Sequence, residues 1–580
     1  MGEARPTGSE AHPKGVMPSE RDARTLRIRR PGAVRVLAAS VAPFLILFAP
    51  FLGYAEYQHH GFQNADVAVF ALILAGIALI LGSAAARWPL VNVVVLAGLI
   101  TFLVDIQARD PGLKRLGLLF IGLSLVLCVL RRHASRIVAT AMLALVVALV
   151  LFPPRFEGAT AVGPGAPAGR EDLPLVVHVL LDELIGVEGL PADLTPRAFK
   201  EAMQAFFVER GFRLFGKAYS QYPMTIYSVP QFLNLAPAGY RDELVAPGPS
   251  DGTFRLTRNA YFERFARLGY AIKVHEPDYL YLCPDGLPAS CRTYASRSLN
   301  VLDALDVPLR AKLSVVAGTY LVQSEVYSRT KNRYRAIRQH LAGVLPLPAW
   351  NWDLGIPTTA SSMEMFEAVS EDLSKARAGT LVFAHILIPH SPYVYDGSCR
   401  PRPAKEWMER GDWDIGGGVV NVREGRSARY AAYLQQVACG QRQLARLLDS
   451  IPAPLRRDAV VIVQGDHGSR ITMADPTTNA RNAIGPSDVI DSYSTMFAVR
   501  SRWIPAGYDL EPASITCLLR SLVESDLHST AGIAACSAPR FVYFLEDGKP
   551  SEAHHLPDFG TATATAAAAG PISATLRSWR

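Results

Sequence analysis

The sequence predicts a two-part α/β protein, with five transmembrane helices followed by an outer domain built on a largely parallel sheet. Three observations predict it. Apolar residues crowd into roughly the first quarter of the 580-residue chain. After residue 174 short β-rich apolar runs alternate with helical stretches. Six of the seven cysteines fall in that second part.

The membrane part rests on a mean hydropathy of +0.15, high for a soluble protein, and on where that hydropathy sits. Five apolar runs occur at 36–54, 67–86, 90–106, 116–130 and 137–152. A helix needs about 20 residues to cross the hydrocarbon core, so the last three are short. The fourth is closely bracketed by Lys114 and Arg115 on one side and Arg131 and Arg132 on the other. It spans only if those side chains snorkel or the bilayer thins. Pro43 and Pro50 in the first run are tolerated in membrane helices. That run is too long for a cleaved signal peptide and lacks a small-residue cleavage motif.

Before it lies a basic tail, 1–31, with Arg5, Lys14, Arg21, Arg24, Arg27, Arg29 and Arg30 and too little apolar content to build a core. The formal charge of the whole chain is +7. Beside a span the tail's charge is topological, so no nucleic-acid partner is expected. The loop charges divide. Arg87, Arg131, Arg132 and Arg136 fall inside, whereas Arg109, Lys114 and Arg115 fall outside. The tail therefore decides the orientation, staying in the cytoplasm while five crossings in 32–153 put everything after Phe152 outside.

The cysteines agree with that placement. Cys128 lies in the fourth run, and Cys283, Cys291, Cys399, Cys439, Cys517 and Cys536 lie in the outer region, as an oxidising compartment favours. Sequence does not choose the pairing. Sequential pairs, 283–291, 399–439 and 517–536, close loops of modest length and are the expectation. A Pro/Gly/Ala-rich linker covers 154–173, the outer domain covers 174–550, and an Ala/Thr-rich tail, 551–580, is expected to be disordered.

Within the outer domain, strands are expected at 175–181, 270–275, 380–387, 458–464 and 495–500. Helices are expected at 197–210, 259–268, 361–377, 426–450 and 512–523. Near-continuous apolar strands separated by helices imply a sheet covered on both faces, with ligands beyond the carboxyl ends of its strands.

Four polar elements stand where such ligands bind. The first strand runs into Asp182 and Glu183, and the fourth into Gly465-Asp466-His467-Gly468. Carboxylate and imidazole ligands suit Zn2+ or Mn2+, although Asp-His-Gly alone also fits a turn and Asp182 alone fits a helix cap. The third element is Tyr219 to Leu235. There Thr225 could be ionised by an ion held on Asp182, Asp466 and His467 and attack phosphorus, or Thr225 or Ser228 could merely cap a helix. The fourth is Phe383 to Asp396, in which His385 and His390 flank a Pro-stiffened strand end suited to binding phosphate or moving a proton. His178, mid-strand, reads as a core residue.

In chain order these elements resemble the sulfatase-like branch of the alkaline phosphatase superfamily. The five-span layout is similar to the lipid A phosphoethanolamine transferases and lipoteichoic acid synthases. The resemblance covers about residues 30–545 and implies an alkaline-phosphatase/sulfatase-like α/β/α sandwich in a bacterial inner-membrane protein with a periplasmic catalytic domain. It implies that Thr225 is the nucleophile, that Asp182, Thr225, Asp466 and His467 hold the metal, and that His390 meets the transferred phosphate. Glu183 and Arg470 are weaker candidates for the site. No Cys/Ser-x-Pro-x-Arg segment is present, which disfavours sulfate ester hydrolysis. Gln221 and Gln231 stand where phosphoethanolamine transferases have cysteines flanking the nucleophile. No histidine follows Asp-His-Gly before His528, so Arg470 is expected to supply positive charge there.

The expected reaction moves a phosphoethanolamine or phosphoglycerol group from a membrane phospholipid donor to an envelope glycan or lipid acceptor, with His385 or His390 moving the proton. A membrane-tethered phosphoester or sulfoester hydrolase is the nearest alternative, and a catalytically silent scaffold is the alternative from another class.

Overall fold

The computed structural model describes residues 32–559 except 109–110, 153–168, 237–238, 240–241, 250–251, 342–343, 346, 349, 351, 408–422, 479–483, 530–535 and 537–539. The basic tail 1–31, most of the linker 154–173 and the end of the tail, 560–580, lie outside the described residues.

Five apolar helices open the structure: α1 (Ala33–Tyr57), α2 (Ala65–Arg87), α3 (Pro89–Gln107), α4 (Leu113–Val129) and α5 (Ala134–Leu151). Four are long and apolar enough to cross a membrane; α4, at 17 residues, is shorter than the rest. Large apolar side chains such as Leu72, Ile80, Leu118, Leu125 and Val150 point outward from the bundle, as a lipid-facing surface requires.

The outer domain centres on an eight-stranded sheet. In chain order its strands are β1 (Val176–Leu181), β2 (Arg213–Phe215), β3 (Ala271–Pro277), β4 (Ala289–Tyr294), β5 (Thr380–Ile386), β6 (Val460–Gln464), β7 (Phe497–Arg500) and β8 (Gly507–Asp509). Across the sheet they run β8-β2-β7-β6-β1-β5-β3-β4. Only β7 is antiparallel to its neighbours, β6 and β2. The largely parallel sheet of the sequence reading is the sheet observed.

Strand alternation sends side chains into two cores. Val177, Val179 and Leu181 face one; Val176 and Leu180 face the other. The first core is closed by α6 (Arg197–Val208), and the second by α7 (Thr225–Leu233) and α8 (Ala260–Leu268). Returning to the first core, α9 (Leu309–Leu321) leads into α10 (Glu325–Leu341), and α11 (Ser361–Ser374) and α12 (Arg423–Asp449) complete that layer. A further helix, Ile515–Glu524, completes the second core with Leu518, Leu519 and Leu522. Each such aliphatic side chain contributes about 1.5–3 kcal/mol through burial, which is why the central strands read as continuous apolar runs. His178 lies on the second face, fully buried, with Nδ1 3.0 Å from the Tyr261 hydroxyl. Burial pushes its imidazole down to about 3, so it is neutral core.

All three disulfides join the expected partners, Cys283–Cys291, Cys399–Cys439 and Cys517–Cys536, and Cys128 is free. A strand at Lys549–His555 pairs with Phe541–Glu546. Regular structure thus continues past residue 550, where the disordered tail was expected to begin; pairing with an earlier strand orders a segment that has no core of its own.

The ends of the membrane helices grip the outer domain. Leu299 N–H donates to Gln58 Oε1 (3.2 Å), just beyond α1. Asp105, near the end of α3, is buried and accepts from Glu325 N (3.0 Å) and Val326 N (3.2 Å), capping α10. Gly112 N–H, just before α4, donates to Glu325 Oε2 (2.9 Å). The α1–α2 and α3–α4 ends therefore lie on the same side as the outer domain. With one crossing per helix, α5 also ends on that side and α1 begins on the opposite one.

Candidate metal centre

Parallel pairing of β5, β1 and β6 brings three strand ends side by side. Asp182 follows β1 and is held there by its N–H, which donates to Ile386 O (2.9 Å). Two residues beyond β6 come Asp466 and His467, in a loop pressed against 491–496. Gly465 N–H donates to Met496 O (2.9 Å) and Gly468 N–H to Ser492 O (3.0 Å). A Cβ at Gly468 would strike the Asp491 carbonyl, and one at Gly465 the Leu184 carbonyl. Close backbone approach is thus the reason for glycine on both sides of the Asp-His pair.

These loops bring Asp182, Asp466 and His467 together, with one ligand atom from each lying within 4.8 Å of the others, all buried. His467 Nδ1 lies 2.9 Å from Gly468 O and donates to it. That fixes the tautomer whose Nε2 carries a lone pair. Nε2 points at Asp466 Oδ2 (3.1 Å) and Thr225 Oγ1 (3.3 Å), and Thr225 Oγ1 is 3.5 Å from Asp182 Oδ2. Asp182 Oδ1 and Asp466 Oδ2 have no hydrogen-bond partner. So many buried acceptors facing one point are costly unless a proton or a cation sits among them. Two carboxylates, an imidazole lone pair and a hydroxyl are a donor set that a divalent cation fits.

Thr225 opens α7, whose N-cap is Met224, without a side-chain capping bond. The threonine hydroxyl therefore does not cap the helix, and it stands at the positive end of the α7 dipole. Ser228, one turn on, does not join the cluster.

The histidines separate. His385 is fully buried, and its Nε2 is bonded to Asp182 Oδ2 (3.0 Å). The nitrogen of a histidine expected to assist proton transfer is thus turned toward the Asp182 carboxylate. His390 keeps partial exposure and lies 3.8 Å from Glu183 Oε1. Gln436 of α12 holds its loop, accepting from Val394 N (2.8 Å) and Tyr395 N (3.1 Å) and donating to His390 O (2.7 Å) and Pro389 O (3.2 Å).

Glu183 and Arg470 pair with each other in a buried salt bridge. Arg470 thus takes Glu183 Oε1. Burial disfavours the Arg470 charge, but Glu183 more than offsets it and keeps the guanidinium protonated. The positive charge expected after Asp-His-Gly is present, already balanced by Glu183.

Sequence reading missed the supports. Tyr433 OH donates to Glu183 O (2.7 Å) and accepts from Ile185 N (3.1 Å). Arg426, Tyr430 and Ser469 all bond Asp491, bracing the loop that carries His467. The signal was available on α12, where Arg426, Tyr430 and Tyr433 recur at helical spacing on the face that the first core buries. Glu276, at the end of β3, is also buried; burial pushes its carboxyl up to about 7 despite bonds from Leu282 N (2.7 Å) and Thr293 Oγ1 (3.2 Å).

No family model matches the chain, and no curated protein is similar to it in sequence. Solved structures match it in fold search. The phosphonate monoester hydrolase of Agrobacterium radiobacter is 14% identical over 65% of this chain and 82% of its own, with a TM-score of 0.38. The C-terminal periplasmic domain of EcEptC from Escherichia coli, in complex with Zn, is 13% identical over 69% and 97%, with a TM-score of 0.37. A protein in the alkaline phosphatase superfamily from Vibrio parahaemolyticus, the superfamily that the motifs resemble, is 12% identical over 68% and 78%, with a TM-score of 0.34. At these values the likeness assigns no residue a role.

Proposed function

We propose that the chain is a metal-dependent phosphotransferase of the sulfatase-like branch of the alkaline phosphatase superfamily, set in a bacterial inner membrane with its catalytic domain in the periplasm. It moves a phosphoethanolamine or phosphoglycerol group from a membrane phospholipid to an envelope glycan or lipid. The observation that carries this reading is the position of Thr225 Oγ1, 3.3 Å from His467 Nε2 and 3.5 Å from Asp182 Oδ2 at a helix N-terminus.

Asp182, Asp466, His467 and Thr225 would hold Zn2+ or Mn2+. Such an ion supplies Lewis acidity, which lowers the pKa of a hydroxyl and neutralises charge on a phosphoryl oxygen. Thr225 Oγ1, its proton released to solvent before the donor binds, forms a bond to phosphorus as the bond from phosphorus to the diacylglycerol oxygen breaks. The diacylglycerol alkoxide takes a proton from His390, the half-exposed imidazole at the rim. An acceptor hydroxyl then attacks the phosphothreonine, passes its proton to His390, and frees Thr225. His385 and Gly468 O act earlier, by orienting Asp182 and His467.

The test is chemical. Full-length protein in phospholipid without acceptor should accumulate a phospho-alcohol adduct on the Thr225 peptide, read by mass spectrometry beside turnover. Thr225→Ala should lose both adduct and turnover, and Thr225→Ser should keep part of each. Near-normal turnover by Thr225→Ala would replace this reading with a hydrolase in which water attacks. Absence of any stoichiometric metal from the wild type would favour the silent scaffold.

A further inference from the structure

The outer domain exposes few large apolar side chains, and most fall in one stretch of the chain. Among the described residues beyond 174 they are Leu309, Val322, Val326, Ile337, Val344, Leu345, Trp352 and Leu510. All but Leu510 lie within 309–352. An exposed apolar patch of this kind marks a surface that meets something.

Its position says what. Tyr320, at the end of α9, stacks among Phe51, Tyr54 and Phe70, with ring centroids at 5.5, 5.5 and 6.1 Å. Phe51 lies six residues inside the end of α1, about 9 Å at 1.5 Å per residue. The end of α9 therefore reaches past the ends of α1 and α2 to the level of their apolar side chains. The next turn carries exposed Val322 and Val326, and Asp105 clamps it to the end of α3.

From there α10 shows a mixed exposed stripe of Val326, Arg329, Arg333, Ile337 and His340 at helical spacing. The helix holds five Lys or Arg against one acidic residue, Glu325, which pairs with Arg329, itself half exposed. Its other face is built. Tyr334 packs on Trp350 (5.2 Å between centroids), and Lys331 and Tyr327 both reach Asp353 Oδ2, at 2.6 and 2.7 Å. The stripe is thus presented outward by a fixed core. Aliphatic side chains interleaved with arginines are the composition of a helix lying in the headgroup layer, where arginine stems bury and guanidinium groups meet lipid phosphates.

We infer that α9 and α10 form a lipid-contacting foot. It seats Val322, Val326 and Ile337 in the surface of the membrane crossed by α1–α5 and binds anionic phospholipid headgroups through Arg329 and Arg333. The inference rests on reading α1–α5 as membrane spans, not on the phosphotransferase reaction.

Spin labels test it on the full chain in lipid nanodiscs, in a Cys128→Ala background, with one label each at Ile337→Cys, Ile80→Cys and Arg197→Cys. Ile80 is exposed on α2 and Arg197 is exposed on α6. In phosphatidylglycerol discs the Ile337 label should resemble the Ile80 label, open to oxygen and shielded from an aqueous nickel chelate, with the Arg197 label reversed. An Ile337 label as open to the chelate as Arg197, beside an immersed Ile80 label, overturns the foot. An Ile80 label open to water instead sinks the membrane reading beneath it. Replacing Arg329 and Arg333 by Gln should raise chelate access at Ile337 several-fold in phosphatidylglycerol discs and leave it unchanged in phosphatidylcholine. Equal immersion of the unsubstituted chain in both lipids, unaltered by the replacements, overturns recognition of anionic headgroups.

Discussion

Asp182 and Glu183 leave the same strand one after the other and end in opposite surroundings. Asp182 joins Asp466, His467 and Thr225, a group with more acceptors than protons. Glu183 meets Arg470, and its charge is balanced by the protein itself. The backbone makes the division. Glu183 and Arg470 are both held at positive φ, 62° and 53°, a conformation that disfavours side-chained residues and turns Glu183 away from its neighbour's direction. Adjacent carboxylates in one loop can thus serve a cation and a salt bridge respectively. Their surroundings, rather than their chemistry, separate the two roles.

The largest effects should break the acceptor group. Asp466→Ala and His467→Ala should each lose bound metal and all measurable turnover while the domain stays folded, read by elemental analysis beside circular dichroism. Retained metal in either variant would remove that residue from the ligand set.

The balanced pair should answer differently. Arg470→Met leaves Glu183 buried and uncompensated and should cost about 3–5 kcal/mol of stability, with metal still bound to the protein that remains folded. Adding Glu183→Leu to Arg470→Met should recover most of that loss in a denaturant titration. If Glu183→Gln alone abolishes metal binding, the division between the two carboxylates is wrong.

His390 lies beside the balanced pair, 3.8 Å from Glu183 Oε1, and His390→Ala should sharpen the line. Metal should stay bound while turnover falls by about 100-fold, the range for removing a general acid. Metal loss equal to that of His467→Ala would move His390 into the ligand set.

The smallest effect concerns the loop that carries His390. Its far end is tied to α12 by Cys399–Cys439. Replacing both cysteines by Ala should cost about 2 kcal/mol in thermal unfolding. Turnover should fall less than in His390→Ala, because Gln436 still grips the loop.

The contrast also explains what the sequence could disclose. Asp182, Asp466 and His467 were legible because each follows an apolar strand, and parallel strands align their ends. The five central strand assignments carried that far. Thr225 was legible only through its resemblance to a family segment, since a threonine before a helix ordinarily caps it. The Glu183–Arg470 pair was not legible. Its members are 287 positions apart, and no local pattern announces a bond at that range. Helices α9 and α10 were overlooked for a related reason: their apolar positions point partly outward, so the stripe that identifies a core helix is blurred. The edge strands β4 and β8, and β2 beside β8, were missed because they are short or polar and take their form from neighbours.

The grip of Gln58, Asp105 and Gly112 on residues 299–326 has a mechanical consequence. A domain joined to its membrane by a linker alone would sweep a wide arc and sample many distances from the surface. One fastened at two corners of the helical bundle works at a single height. Reach is then set by those corners, not by the length of chain between α5 and β1. For the reaction proposed, substrates would then be sorted by whether their reacting bond can be brought to that height. A molecule rooted in the bilayer arrives there by rising a fixed distance, and one with a shorter stem never arrives at all.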